Sequence, residues 1–306
     1  MQKVRDKIAF IVATKDRPDE LQRMLKSLAA QFPQTGQVII VDGSDKPIEA
    51  ISNGCKDLNI TYLRCSPPSA ARQRNIGIRA VSPETTLIGF LDDDVVLENN
   101  AIAAMIRFWE GAPDDVGGAA FNMVNHPSLY APWLKSLLIV EKLGLYSREK
   151  GAVLTSGFHT MIGYTLETTY TEWLSSGAIV WRRNIFDKFQ FDEWFDGYSY
   201  LEDLDFSYRV SRKYRLAVVA DAKYYHYQAP AGRGSNYTFG KREVANRVYF
   251  VRKNSEFSLT KCYLALIVRI FISVVLTIQE GKIGYLMRAL GNIVGLVKSC
   301  KKPSKT

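Results

Sequence analysis

The run Leu87-Ile88-Gly89-Phe90-Leu91 ends in three consecutive aspartates, Asp92, Asp93 and Asp94, and resumes as Val95-Val96-Leu97. An uninterrupted apolar run of this length is the pattern of a parallel strand covered on both faces, which commits the chain to an α/β sheet. Carboxylates at the carboxyl end of such a strand emerge where open α/β sheets bind ligands. Like charges a few ångströms apart repel by roughly 4 kcal/mol per pair in a protein-surface dielectric, so the cluster needs a cation, a proton or open water. Side chains alternate along a strand, so Asp92 and Asp94 are expected on one side and Asp93 on the other. An Asp-x-Asp pair of this kind suits a hard divalent ion. A solvated acidic turn is the plain alternative, and the buried strand before the cluster favours the metal.

The rest of the amino-terminal half has the same rhythm. Ile8 to Ala13 and Gln37 to Val41 are strand patterns, each closed by a polar turn, Thr14-Lys15-Asp16-Arg17 and Asp42-Gly43-Ser44-Asp45. Between them Pro18 opens a helix whose apolar face is Leu21, Met24, Leu25 and Leu28, ending near Phe32-Pro33. Ile60 to Leu63 is a third strand, and Ala70 to Ala80 a helix carrying Arg72, Arg74 and Asn75. Strands alternating with helices indicate βαβ units, and parallel strands release their carboxyl ends on one edge, so these polar turns should converge on one cleft.

After a helix at Ala101 to Glu110 the pattern loosens from Phe121 to Tyr170. Order returns at Trp173 with Leu174 to Trp181, in which Ser175-Ser176-Gly177 marks a close backbone approach. Leu201-Glu202-Asp203-Leu204-Asp205 leads into a helix expected over Phe206 to Lys213, and a strand over Leu216 to Ala220 precedes His226.

With these segments in this order, the chain resembles the family 2 glycosyltransferases, nucleotide-sugar enzymes of the GT-A fold. The resemblance rests on Ile11 to Arg17, Val41 to Ser44, Arg74 to Gly77, Phe90 to Asp94, Ser175 to Gly177, Glu202 to Asp205 and His226, and spans about residues 8 to 254. It implies a mostly parallel, Rossmann-like sheet flanked by helices, with a nucleotide-binding half at 1–100 and an acceptor and catalytic half at 101–254. It further implies that Thr14 and Asp42 contact the nucleoside end of the donor, that Arg74 with Arg72 faces the diphosphate, and that Arg17 and Asn75 belong to the substrate site. Asp93, Trp173, Gly177 and Glu202 complete the substrate site. Asp92, Asp94 and His226 would hold Mn²⁺ or Mg²⁺, an imidazole ligand favouring manganese. Asp203 would be the general base of an inverting hexosyl or deoxyhexosyl transfer to a hydroxyl on a glycan or lipid-linked acceptor. Helix capping would explain the same acidic cluster without catalysis. The turn after the second strand, Asp42-Gly43-Ser44, is one residue shorter than the Asp-Asp-Gly-Ser common in the family.

Two other readings share some of these features. A nucleotidyltransferase would need a glycine-rich phosphate loop after the first strand, and Thr14 to Arg17 has no glycine. The formal charge of +9 could serve a nucleic acid, but basic residues are spread along the chain without a recognition motif, so none is expected as partner. Four cysteines without Cys-x-x-Cys spacing indicate a reducing compartment, and the polar start, Met1 to Lys7, offers no secretory signal. A cytoplasmic enzyme is expected. In the carboxyl-terminal segment, 255–306, Arg269, Ser273, Thr277 and Glu280 form a narrow polar stripe in one apolar helix, and Gly284, Arg288, Asn292 and Gly295 one in a second. Such helices fit either in-plane contact with the cytoplasmic face of a membrane or packing onto protein.

Overall fold

The computed structural model describes residues 8–33, 35–126, 138–142, 144, 147–228 and 234–300. It contains two compact units, one formed by 1–127 with 162–232 and the other by 128–161 with 233–306.

The first unit is a single nine-stranded sheet between helices. Its elements are β1 (Ile8–Thr14), α1 (Pro18–Ala29), β2 (Gln37–Asp42), α2 (Glu49–Asn53), β3 (Ile60–Arg64), α3 (Ala70–Arg79), β4 (Leu87–Asp92), β5 (Val95–Leu97), α4 (Ala101–Gly111) and β6 (Val116–Met123). The strands run in the order β3-β2-β1-β4-β8-β6-β9-β5, completed by β7 (Thr169–Thr171), β8 (Ala178–Arg182) and β9 (Arg215–His226), with β7 also on β9. Strands β1 to β4 pair in parallel, β8 joins β4 antiparallel, and β6 pairs with β9 in parallel. The chain steps outward from β1 to β3 and returns to β4 on the other side of β1, so the sheet's switch point lies between β1 and β4. A crevice at the carboxyl ends of these strands follows from that reversal.

Strand alternation divides the core. Phe10, Val12, Val38 and Ile40 face α1 and α4, where Leu21, Met24, Leu25, Met105 and Trp109 pack. Ile11, Ile39, Val41 and Phe90 face the other layer, with Ala71 of α3 and Phe206 and Val210 of α6 (Glu202–Ser211). Phe206 stacks on Phe191 at 4.3 Å between ring centroids and meets Trp181 edge-on, which anchors α6 beneath the sheet.

Three elements differ from their expected bounds. Helix α6 opens at Glu202 rather than Phe206, because its acidic first turn suits a helix amino terminus. Strand β9 runs on to His226, carried past Ala220 by exposed Asp221 alternating with buried Ala222 and Tyr224. Strand β6 extends into the start of the region expected to be irregular, where Phe121 and Asn122 are buried strand residues.

In the second unit, α5 (Leu138–Lys142) and a turn bridged at Val153 and His159 accompany three long helices: α7 (Asn236–Lys253), α8 (Leu259–Glu280) and α9 (Ile283–Cys300). Helix α7 packs with α8 and α9 rather than ending the sheet unit. Buried Arg247 fastens the turn to α7, donating to the Gly157 carbonyl with its guanidinium 4.4 Å from the Phe158 ring centre. Helices α7 and α9 meet through glycines: a Cβ on Gly240 would lie 2.3 Å from the Arg288 carbonyl oxygen, and one on Gly291 2.1 Å from that of Tyr237.

Candidate active site

The end of β4 separates its aspartates. Asp93 turns towards β1, where its carboxylate accepts from the Thr14 hydroxyl at 2.8 Å and from Arg17 at 2.9 Å. Burial pushes its carboxyl up to about 6 against the pull of Arg17. Asp92 and Asp94 converge instead with His226, all three offering ligand atoms within 4.8 Å of one another. His226 Nε2 lies 2.8 Å from Asp94 Oδ1.

Strand pairing sets this geometry. Val95 is opposite His226 across β5 and β9, and the Tyr227 amide donates to the Asp94 carbonyl at 2.9 Å. Asn125 clamps the His226 backbone with two bonds, accepting from its amide at 2.9 Å and donating to its carbonyl at 3.0 Å. Gly177 accepts from the Asp92 amide at 2.9 Å. A Cβ there would stand 3.0 Å from the Tyr224 hydroxyl and 3.4 Å from His226 Nδ1, so the missing side chain lets β8 approach the imidazole. Two carboxylates and an imidazole nitrogen gathered at a sheet edge fit a divalent ion with oxygen and nitrogen ligands.

A second acidic group adjoins the first. Arg74 is buried on α3 and donates to the Glu202 carboxylate, to Ser176 Oγ at 3.0 Å and to Asp92 Oδ1 at 3.3 Å. Its guanidinium lies 5.5 Å from the Phe191 ring centre. Glu202 stands in the first turn of α6, where burial raises its carboxyl above the ordinary range while Arg74 opposes the shift. Asp203 follows, accepting from the Leu204 amide at 2.8 Å and the Ser176 amide at 3.3 Å. Burial raises its proton affinity too, against Arg74 and those two bonds. Arg74 and Ser176 thus bridge the group of Asp92, Asp94 and His226 to the pair at the start of α6.

The other residues singled out from the sequence sit differently. Asp42 is fully buried, and its carboxylate accepts from the Ser44 amide at 2.7 Å, the Ile48 amide at 3.3 Å, the Tyr62 hydroxyl and Arg64. Burial raises its carboxyl, and these bonds outweigh burial to hold it below the usual range. Arg72 and Asn75 both turn to Glu193, at 3.2 and 3.0 Å, and Asn75 also exchanges bonds with the Phe191 backbone. Trp173 is buried, and Trp194, next to Glu193 in the chain, is half exposed.

Sequence reading missed four contributors. Gln73 donates to the carbonyls of Thr14 and Val41, at 2.9 and 2.7 Å, tying the ends of β1 and β2 together. Ser176 lay in a segment marked as a close backbone approach, but its bonds to Arg74 and Asp203 were not read, and nothing in the spacing announced Asn125. Tyr224 could have been found, since it lies two residues before His226 on one strand and therefore on the same face.

The model of glycosyl transferase family 2 matches residues 9–165, just over half of the chain. No match is found among curated proteins. Among solved structures, the mannosyltransferase PcManGT from Pyrobaculum calidifontis, in complex with GDP-Man and Mn²⁺, is similar over 97% of this chain and 88% of its own, at 14% identity and a TM-score of 0.55. S. aureus TarS 1-349 in complex with UDP-GlcNAc is similar over 94% and 89%, at 16% identity and a TM-score of 0.52. GalNAc-T7 with UDP, GalNAc and Mn²⁺ matches over 78% of this chain and 48% of its own, at 13% identity and 0.56. The chain spans 44% of a longer TarS structure. At these identities the likeness is one of fold, the GT-A architecture of a sheet flanked by helices. The family model covers the strands, turns and helix α3 that carry Thr14, the three aspartates and Arg74, and on that match the chain belongs to glycosyl transferase family 2.

Proposed function

We propose that this glycosyltransferase moves a sugar from a nucleoside-diphosphate donor to a hydroxyl of a glycan or lipid-linked acceptor, with inversion at the anomeric carbon. The observation that carries the reading is the convergence of Asp92, Asp94 and His226 at one sheet edge, bridged by Arg74 to Glu202 beside Asp203. The complexes of PcManGT with GDP-Man and Mn²⁺ and of TarS with UDP-GlcNAc support a donor of this class. Asp92, Asp94 and His226 would hold Mn²⁺ or Mg²⁺, which when bound neutralises charge on the departing diphosphate.

The chain's own residues do the rest. Thr14, Arg17 and Asp93 form one wall at the end of β1, and Asp42, held by Tyr62 and Arg64, shapes the nucleoside end of the crevice. Arg72 and Asn75 contribute by holding the segment around Glu193, and the exposed Trp194 offers a flat apolar surface to an acceptor sugar. Arg74 is a positioning residue: already bonded to two carboxylates, it fixes Asp92 and Glu202 relative to each other. Asp203, oriented by two backbone amides, takes the proton of the acceptor hydroxyl. The hydroxyl oxygen bonds to the anomeric carbon from the side opposite the diphosphate, and the bond to the diphosphate oxygen breaks. One base and a single displacement give inversion. The reading places the enzyme in the cytoplasm with peripheral contact at the membrane.

Asp203→Asn tests the assignment. Transfer should fall about 10²- to 10⁴-fold, the usual weight of a positioned base, with donor affinity and melting temperature retained. Near-normal transfer would remove Asp203 from the mechanism, and retained configuration in the product, read by NMR, would remove the single displacement.

A further inference from the structure

Helices α7, α8 and α9 are arranged with the opposite polarity to a bundle made for water. A cluster of charged and polar groups, Glu243, Arg269, Ser273, Arg288 and Asn292, is turned inside. Glu243 of α7 is 2% exposed and accepts from Arg288 at 2.7 and 2.9 Å and from Asn292 at 3.0 Å, with Arg269 at 3.5 Å. Asn292 is fully buried and also donates to the Gly240 carbonyl, and Ser273 is buried with its hydroxyl on the Arg269 carbonyl. Arg269 of the first polar stripe read from the sequence and Arg288 and Asn292 of the second therefore converge inward on Glu243, whereas Glu280 stays exposed on Lys282.

The outer surface is apolar. From Leu264 to Ile278, every α8 residue that reaches solvent is apolar except Arg269 and Thr277, and both turn polar atoms back, to Glu243 and to the Ser273 carbonyl. Phe271 is 60% exposed and Ile278 80%. The surface continues on α9 through Ile283, 71% exposed, then Leu286, Leu290, Ile293 and Val297. A contiguous patch of this kind marks an interaction site.

We propose that the outer faces of α8 and α9 dock on an anionic lipid bilayer, with the helices in the membrane plane and their basic ends at the headgroups. Charge selects the occupant. Residues 236–306 carry thirteen Lys and Arg against three Glu, a net +10, whereas residues 1–235 sum to −1. Two copies meeting through this segment would bring like charges together, while anionic headgroups complement it. The rim includes exposed Arg252, Lys253, Lys282 and Lys298. Breadth points the same way: beside the most exposed positions of α8 lie Val268, Ile270, Ile272 and Val275, where a helical seam between copies would carry charged flanking pairs. The glycine-mediated approach of α7 and α9 is also the packing style of helices in lipid.

By length and composition α8 could cross a membrane. Helix α7, with Lys241, Arg242, Arg252 and Lys253, packs along both α8 and α9, so a crossing would draw those charges into hydrocarbon. Lying in the plane leaves them in water. The inference extends the peripheral contact in the proposed function and rests on it only for the acceptor's location; lipid binding is read without donor, metal or turnover.

The test is flotation of the full chain with phosphatidylcholine vesicles, with and without phosphatidylglycerol. Binding should require the anionic lipid and weaken at high salt. The double variant Ile267→Glu with Phe271→Glu should lose about tenfold or more, with its circular dichroism unchanged, and Lys282→Glu with Lys298→Glu should lose several-fold. In single-site variants Leu264→Trp, Phe271→Trp and Ile278→Trp, brominated lipids should quench the added fluorescence to one shallow depth. Phe271→Trp alone lying deepest would overturn the in-plane placement. Failure of the wild type to float, or equal flotation of the Ile267 and Phe271 double variant, would overturn the docking surface. So would a vesicle-free dimer that this double variant dissociates, which would assign the face to a second copy.

Discussion

Replacing Glu243 with Gln keeps the volume of a buried side chain and removes the carboxylate that pairs with Arg288 and Arg269. Breaking a buried ion pair from one side costs roughly 3–5 kcal/mol, and the partial exposure of both arginines favours the lower end. Independently, burial would raise this carboxyl, but Arg288, Arg269 and Asn292 outweigh burial and hold it at about 2. Against an unfolded value of about 4.3, a shift of this size stands for about 3 kcal/mol of stability at neutral pH. The sign follows from which state binds the proton. Below about 4.3 the unfolded chain takes up a proton that folded Glu243 refuses, so the contribution is complete above that pH and drains away as the pH falls towards 2. Urea unfolding of the wild type and Glu243→Gln at pH 7 should differ by about 3 kcal/mol, and the difference should shrink between pH 4 and pH 2. A difference within about 0.5 kcal/mol, or one that does not change with pH, would refute the argument that this carboxylate organises the helical unit.

Gly177→Ala should weaken metal binding by roughly tenfold, the lower range for a disturbed outer contact of a metal ligand, because the new methyl presses on His226 and Tyr224; calorimetric titration with Mn²⁺ checks it, and unchanged affinity would mean the imidazole is not a ligand. Gly291→Ala should destabilise the chain by about 1–3 kcal/mol in urea titration, since its methyl meets the Tyr237 backbone carbonyl rather than a side chain that can yield. For Asp203→Asn, transfer and donor affinity should separate as described above.

The parallel half of the sheet was readable because its strands are buried on both faces and appear as unbroken apolar runs from Ile8, Val38 and Leu87. The start of α6 was not, because Glu202, Asp203 and Asp205 look like a loop until Phe191, Trp181 and Phe206 fix the helix beneath the sheet. The resemblance put Arg72 at the diphosphate and Asn75 in the substrate site, but both hold Glu193 instead. Their partner Glu193 lies more than a hundred residues away, and no local pattern reveals it. Similarly, periodicity showed polar stripes on α8 and α9 but not which side they face; that depends on Glu243 of α7. The three aspartates, His226 and the close approach at Gly177 were legible in the sequence, whereas Asn125, which clamps the His226 backbone, came only with the fold.

The central claim is that Asp92, Asp94 and His226 hold the ion that binds a nucleoside-diphosphate sugar. A thermal-shift screen of UDP, GDP, dTDP and CDP sugars, each with and without Mn²⁺, tests it most directly when run on the wild type and Asp94→Ala side by side. One base should stabilise the wild type only when the metal is present, and Asp94→Ala should lose that stabilisation while keeping its own melting transition. Stabilisation by a donor that does not depend on Mn²⁺ or Mg²⁺, or that survives in Asp94→Ala, would contradict the account.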